Sequence, residues 1–373
     1  MKISVFFTYG YSIREWEKTG ILQRELLFYN LLKPYGVETN FVTYGSPSQE
    51  TIAPDLGDFK VFTKPDRLSN WKYSLAAPFI HREALKQCDV LKTHQNQGAI
   101  TGVIAKLITG KPLIARCGYL KSEFAKLENE KLSTRAKIWL EEALSFHCAD
   151  VVCVSSDEQA KIAARRYLIK KSKIRVCPNG IDSVTFQPRE KPPEEFTVCF
   201  VGRFSWKKGP DVLLKAVEGL EGVRLVMIGD GGLLEECKTF AAKRKLNVQF
   251  IGRIENKEIP AYLNFSSVFV IPSHHEGSPK TLLEAMSCGL PVIGTDGFGV
   301  DEVFTDGNEG LKVRFGDVEG LRKAILWIKE HPAEAKEMGN RGRQRVMDYY
   351  SIDKALAREL TILEELTGKK LNA

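Results

Sequence analysis

Residues 267–296 read SVFVIPSHHEGSPKTLLEAMSCGLPVIGTD, and three patterns follow one another in them. The run 267–273 is short, apolar and β-branched, as a buried strand is. After HHEGSP, a loop of turn formers, KTLLEAMS has apolar residues at helical spacing. Gly289-Leu290-Pro291 stops that helix, and a second apolar run follows at once. Strand, helix and strand in immediate succession read as one unit of a parallel sheet, because parallel neighbours need a crossover between them.

Working outward, the same alternation fills the chain. In the first half the strands read as ISVFFT, ETNFVTY, DVLKTH, PLIARCG, DVVCVSS and IRVCPNG. In the second half they read as FTVCFVGR, RLVMIGD, NVQFIGR, SVFVIPS, LPVIGTD and GLKVR. Longer amphipathic segments separate them, which predicts parallel sheets covered by helices on both faces. Between the two sets lies SVTFQPREKPPEE, Pro-rich and charged, unsuited to a strand or helix interior. It places a domain boundary near 183–195. The expected fold is α/β, with two tandem Rossmann-like doubly wound domains, 1–185 and 186–351, facing a central cleft. Whether the last helix, in 352–373, packs back on the first domain is not readable from pattern.

The totals agree with two soluble domains. At 373 residues the chain exceeds what a single core usually holds. Lys and Arg number 54 against 47 Asp and Glu, an excess that fits an anionic small molecule or membrane surface better than nucleic acid. The start, MKISVFFTYGYSIREW, has an apolar run too short for a signal peptide and reads as a first strand. No apolar run reaches the 18 residues of a membrane span, so the expectation is a cytoplasmic protein, at most resting on a membrane. Eight cysteines are scattered without a C-x-x-C pair and read as reduced core residues.

Chemistry is expected just after the strands, since doubly wound sheets bind ligands at the carboxyl ends of their strands. Arg203 ends one strand, and Lys208 stands five residues on, before Gly209 and a helix. Two cations at a helix start can clamp a diphosphate; a solvated basic loop is the bland alternative. The turn IGDGG lacks the G-x-G-x-x-G spacing, as does TYGYSIREWEKTG, which disfavours a nicotinamide dehydrogenase. Its glycines read as turn chemistry more readily than as ligand contacts. Glu276 and Glu284 on one helix would stand ~12 Å apart along its axis, beyond the roughly 5–9.5 Å of a glycosidase pair. That distance suits two parts of one elongated ligand such as a nucleotide sugar: Glu276 at the sugar hydroxyls, Glu284 at the ribose diol. Gly277, Ser278, Pro279, Lys280 and Thr281 would open the helix between them, their backbone N–H groups toward sugar and phosphates. The alternative is two surface acids. Against it, Glu284 sits among apolar neighbours, where an acid needs a partner.

The elements VGRFSWKKG, IGDGG, FIGRI, VIPSHHEGSPKTLLEAMSCGLPVIGTD, FGVDE and DGNEGLKV, in this order, resemble the retaining glycosyltransferases of family four, whose fold is the two-Rossmann GT-B. VCPNGID, before the boundary, is similar too. The resemblance implies Arg203 and Lys208 on the donor diphosphate, Glu284 on the ribose and Glu276 on the donor sugar. It also implies that Gly252, Arg253 and Ile254 lie by the nucleobase and Gly20 in a loop near the phosphates. It further implies transfer with retention and without metal, in keeping with the absence of a D-x-D element. The donor is then a UDP- or GDP-sugar, and the acceptor a glycan, a lipid-linked intermediate or a small molecule, as in polysaccharide biosynthesis.

Two departures stand out. ARCGY has Cys117, beside Arg116, where many members carry a histidine that touches the sugar, and FGVDE has Phe298 where a paired glycine usually begins. His94, in KTHQNQG after another strand, is a candidate for the acceptor side, with a satisfied structural histidine as the alternative. The stretch 161–175 holds seven Lys or Arg and no acid, either a contact for anionic membrane or a solvated face. The competing functions are an epimerase or hydrolase of the same fold, and a non-catalytic sugar-nucleotide sensor.

Overall fold

The computed structural model describes residues 1–50, 56–189 and 195–372. Among them, thirteen strands form two all-parallel sheets. The first sheet is built from β1 (Lys2–Phe6), β2 (Glu38–Val42), β3 (Lys60–Phe62), β4 (Val90–Thr93), β5 (Leu113–Cys117), β6 (Val151–Val154) and β7 (Ile174–Val176). Its spatial order is β3-β2-β1-β4-β5-β6-β7. The second contains β8 (Thr197–Val201), β9 (Arg224–Ile228), β10 (Val248–Gly252), β11 (Val268–Ile271), β12 (Val292–Thr295) and β13 (Gly310–Val313), in the order β10-β9-β8-β11-β12-β13. The central strands β4, β8, β11 and β12 are buried along their whole length, which is why they read as continuous apolar runs instead of alternating ones. Each order reverses once, between β1 and β4 and between β8 and β11. At such a reversal the helices that follow two neighbouring strands run back on opposite faces of the sheet and leave a crevice at the strand ends.

The chain divides into two compact units, Met1–Pro178 with Ala355–Ala373, and Asn179–Lys354. The division falls earlier than 185/186 for a physical reason. Ile181 bridges to Ser351, its N–H donating to Tyr350 O and its carbonyl accepting from Ile352 N–H, both at 2.8 Å. Ile181 and Phe186 are both buried in the second unit's core. The centre of the expected linker, 190–194, lies outside the described residues. The last helix, Ile352–Thr367, gives Leu356, Ile362 and Leu363 to the core of the first unit. Its Glu359 forms a buried ion pair with Lys92 of β4.

Candidate active site

In the second unit β8 and β11 are hydrogen-bonded neighbours, so the loops that follow them, 202–209 and 272–279, leave the sheet side by side. His274 N–H donates to Lys207 O at 2.7 Å and ties one loop to the other. Gly209 has φ +60°, and a Cβ there would lie 2.3 Å from Pro272 O, so only glycine lets the loops approach this closely. The result is an ion pair: Lys208 Nζ stands 2.5 Å from Glu276 Oε1, with the carboxylate almost fully buried. A third loop fixes Glu276 from behind. Its N–H donates to Phe298 O at 2.8 Å, and Gly299, at φ +82°, passes so near that a Cβ would sit 2.0 Å from Glu276 O. Phe298 thus takes its place through its carbonyl, and Gly299 keeps the position that requires glycine. Arg203 is exposed, and its guanidinium has no hydrogen bond or ion pair among the described residues.

The glycines of IGDGG serve the same packing. Cβ atoms on Gly229 and Gly231 would meet Gly202 O at 1.9 Å and Phe204 O at 2.5 Å. They let the turn after β9 support the Arg203 loop, which is turn chemistry.

Glu276 lies outside the helix, which begins at Lys280. Glu284 is in its second turn, 2% exposed among Leu282, Leu283, Ala285 and Met286. Its Oε1 accepts from Asn256 Nδ2 at 3.0 Å, and Asn256 follows the turn after β10. This bond links Glu284 to the segment of Gly252, Arg253 and Ile254, where Arg253 is exposed, Ile254 half-buried, and Gly252 O accepts from Gly229 N–H. Asn256 carries no signal in sequence, being one polar residue in a polar turn. Ahead of the helix, Ser278 Oγ accepts from Asn179 Nδ2 at 2.8 Å and Pro279 is buried. Lys280 N–H turns back to Ser278 O, while Gly277 and Thr281 are half-buried at the same helix start.

In the first unit the candidates separate. His94 follows β4 with its N–H on Phe6 O; its Nε2 is 3.1 Å from Glu25 Oε2 and its Nδ1 3.4 Å from Thr8 Oγ1. Trp16 packs on the ring, with centroids 4.9 Å apart. Both nitrogens are engaged inside the fold, as a structural histidine's are. Cys117 is 1% exposed; its thiol donates to Tyr119 O at 3.1 Å, and burial pushes its pKa well above the ordinary thiol range. Arg116, next to it on β5, points to the other face. There burial opposes its charge, but Cys177, Glu359 and Cys153 outweigh that and raise its pKa. Gly20, at φ +68° with open space around its missing Cβ, ends the helix Ile13–Lys18, its N–H on Glu17 O. Sequence reading missed a narrow pocket after β4 and β5, where Gln95, Asn96 and Gln97 meet Tyr119, Ile138 and Glu142. The polar run QNQ behind a strand was its only signal.

The basic stretch 161–175 is broken up. It spans the end of the helix Asp157–Arg166, a turn and the edge strand β7. Arg166 pairs with Glu123, Arg175 with Glu365 at 2.8 Å, and Lys173 donates to His147 O.

Comparison with known proteins gives a consistent picture. Residues 183–345 match the family model described as glycosyl transferases group 1, and residues 30–184 that described as Glycosyltransferase Family 4. The chain is 31% identical to the D-rhamnosyltransferase WbpZ of Pseudomonas aeruginosa over 338 residues, 85% of this chain and 84% of that protein. It is 25% identical to the UDP-Gal:alpha-D-GlcNAc-diphosphoundecaprenol alpha-1,3-galactosyltransferase of Escherichia coli, over 71% of this chain and 72% of that one. HepE of Anabaena, solved in complex with UDP, shares the fold with a TM-score of 0.78 at 17% identity, covering 98% of this chain and all of that one.

Proposed function

The chain belongs to the glycosyltransferases of family 4, and on that premise we propose that it moves a sugar from a UDP- or GDP-sugar to a glycan or lipid-linked acceptor, with retention and without a metal ion. The observation that carries this reading is the pairing of Lys208 with Glu276 at the strand reversal, with exposed Arg203 on the same loop as Lys208. A carboxylate fixed by backbone contacts suits sugar hydroxyls, and two cations on one loop suit a diphosphate. Glu284, held by Asn256 beside the turn after β10, suits the ribose diol. A UDP donor is favoured by the E. coli relative, named for UDP-Gal, and by the UDP bound to HepE. The same relative's diphosphoundecaprenol-linked acceptor favours a lipid-linked one here. No helix among the described residues is long and apolar enough to cross a membrane, so such an acceptor would be met at the bilayer surface.

In the proposed step the acceptor oxygen bonds to the anomeric carbon on the face from which the diphosphate departs. The bond from that carbon to the phosphate oxygen breaks, and the acceptor's proton passes to a phosphate oxygen. Lys208, Arg203 and the N–H groups opening the helices Pro210–Val217 and Lys280–Ser287 stabilise the departing charge.

Thermal unfolding with UDP, GDP, ADP and dTDP, each with EDTA and again with Mg²⁺, tests the donor reading. A ligand at 100 times its Kd stabilises the native state by about 2.7 kcal/mol. One diphosphate, UDP or GDP, is expected to raise the midpoint equally in both media. A shift that needs Mg²⁺ overturns metal independence, and no shift with any nucleotide overturns the donor site.

A further inference from the structure

We propose that the first unit docks on an anionic lipid surface through the outward faces of three neighbouring helices, Asn70–Ile80, Ala99–Thr109 and Leu132–Cys148. The first of these packs against the second, and the second against the third, as one layer over the sheet. The outer stripe of such a layer is ordinarily polar. Here Trp71, Leu75 and Phe79, four residues apart and so on one stripe, are all exposed, Trp71 by 58% and Phe79 by 63%. Folding does not need them there, because Tyr73, Ser74, Ala77 and Pro78 make the buried face of that helix.

The next helix continues the patch with Ile100 and Leu107, the latter 77% exposed, and the third adds exposed Leu140 and Leu144. One exposed apolar side chain needs no explanation; a run of them across three adjoining helices marks an interaction surface. Tryptophan and phenylalanine beside lysine is also the composition of elements that lie in a membrane interface.

Charge selects the occupant. The first unit, 1–178 with 355–373, holds 30 Lys and Arg against 21 Asp and Glu, whereas 179–354 holds 24 against 26. The whole positive excess therefore lies in the unit that carries the apolar patch. Lys72 is exposed on the same helix as Trp71, while Lys137, on the same helix as Leu140, pairs with Glu141 at 3.9 Å. The helices Asn70–Ile80 and Ala99–Thr109 contain no acid. A second copy of the chain would set these cations against their like, while acidic headgroups complement them. The stretch 161–175 fits less well, since Arg166 and Arg175 are already paired within the fold. This inference does not rest on the proposed transfer chemistry.

The test is co-sedimentation of the full chain with phosphatidylcholine vesicles, with and without phosphatidylglycerol, at low and high salt. Three proteins are compared: wild type, the triple variant Trp71→Ser, Leu75→Ser, Phe79→Ser, and a control with Lys161, Lys170 and Lys171 each changed to Ala. Wild type is expected to bind the phosphatidylglycerol vesicles, more at low salt. The triple variant should bind at least about tenfold less, with the control close to wild type. Unchanged thermal midpoints and unchanged nucleotide-induced shifts would show that fold and donor site are intact, so failure here and failure of the donor reading are distinguishable. Vesicle binding by the triple variant at the wild-type level overturns the proposal, as does absence of wild-type binding at low salt. A wild-type dimer in light scattering that the triple variant abolishes assigns the face to a second copy and overturns it too.

Discussion

Lys208 Nζ lies 2.5 Å from Glu276 Oε1, so the cation proposed for phosphate and the carboxylate proposed for sugar neutralise each other across two adjoining loops. A diphosphate and a sugar hydroxyl arriving together replace this mutual contact with one partner each. Glu276→Gln is therefore expected to lower transfer on the order of 10²-fold while UDP still raises the thermal midpoint. Lys208→Ala should lose both. Transfer by Glu276→Gln near the wild-type rate would remove Glu276 from the sugar.

Glu284 predicts a different kinetic signature. A charged hydrogen bond to the ribose, present in ground and transition states alike, acts on binding. Glu284→Gln should raise the donor KM by about 10- to 100-fold with little change in kcat. Asn256→Ala, which removes the donor to Glu284 Oε1, should move KM in the same direction by less. A fall in kcat at constant KM would assign Glu284 to the reacting bond instead.

Two glycines separate close approach from helix termination. Gly299→Ala would drive a Cβ to 2.0 Å from Glu276 O, so a loss of transfer of more than about tenfold is expected, with a lower thermal midpoint. Gly20 meets nothing where its Cβ would stand, and asparagine tolerates its left-handed conformation. Gly20→Asn is expected to transfer at the wild-type rate. Loss of nucleotide binding in Gly20→Asn would support the donor-loop role that the family resemblance implies.

The pH dependence of stability has a clear candidate in Asp89. Burial raises its pKa, but Lys369, 2.7 Å away, and the N–H of Lys2 outweigh that and hold it below the ordinary range. A depressed folded pKa means that the contribution is fully present above the unfolded value of ~3.9 and is lost as pH falls through the folded one. Asp89→Asn should unfold at a lower temperature than wild type at neutral pH, by the few degrees or less of a pair worth under about 1 kcal/mol. Stepwise acidification should close that gap; a gap constant with pH would assign the effect to lost packing.

What could be read from sequence followed strand ends. Arg203, Lys208, Glu276 and Glu284 stand in local patterns that name strand, turn and helix in order. Nothing local reveals that β8 and β11 are neighbours, which is what brings Lys208 to Glu276 across 68 residues. In the first unit the missing information is which element covers which face. Alternation sets Arg116 and Cys117 on opposite sides of β5, but only the packed structure shows Glu359, from the far end of the chain, near Arg116. Likewise the count of cations in 161–175 is visible in sequence, whereas Glu123 and Glu365, which occupy two of them, are distant in it.

The buried pair of Lys92 and Glu359 bears on how the protein is made. A lysine inside a central strand is tolerated only with its counter-charge; removal of one partner of such a pair costs about 3–5 kcal/mol. During synthesis Lys92 emerges with the first sheet, and Glu359 emerges only after all of 179–354. Domains generally fold as units while the chain is extended, so the second unit can complete first. The first unit therefore cannot close its core around Lys92 until the last helix, which also brings Leu356, Ile362 and Leu363, has emerged.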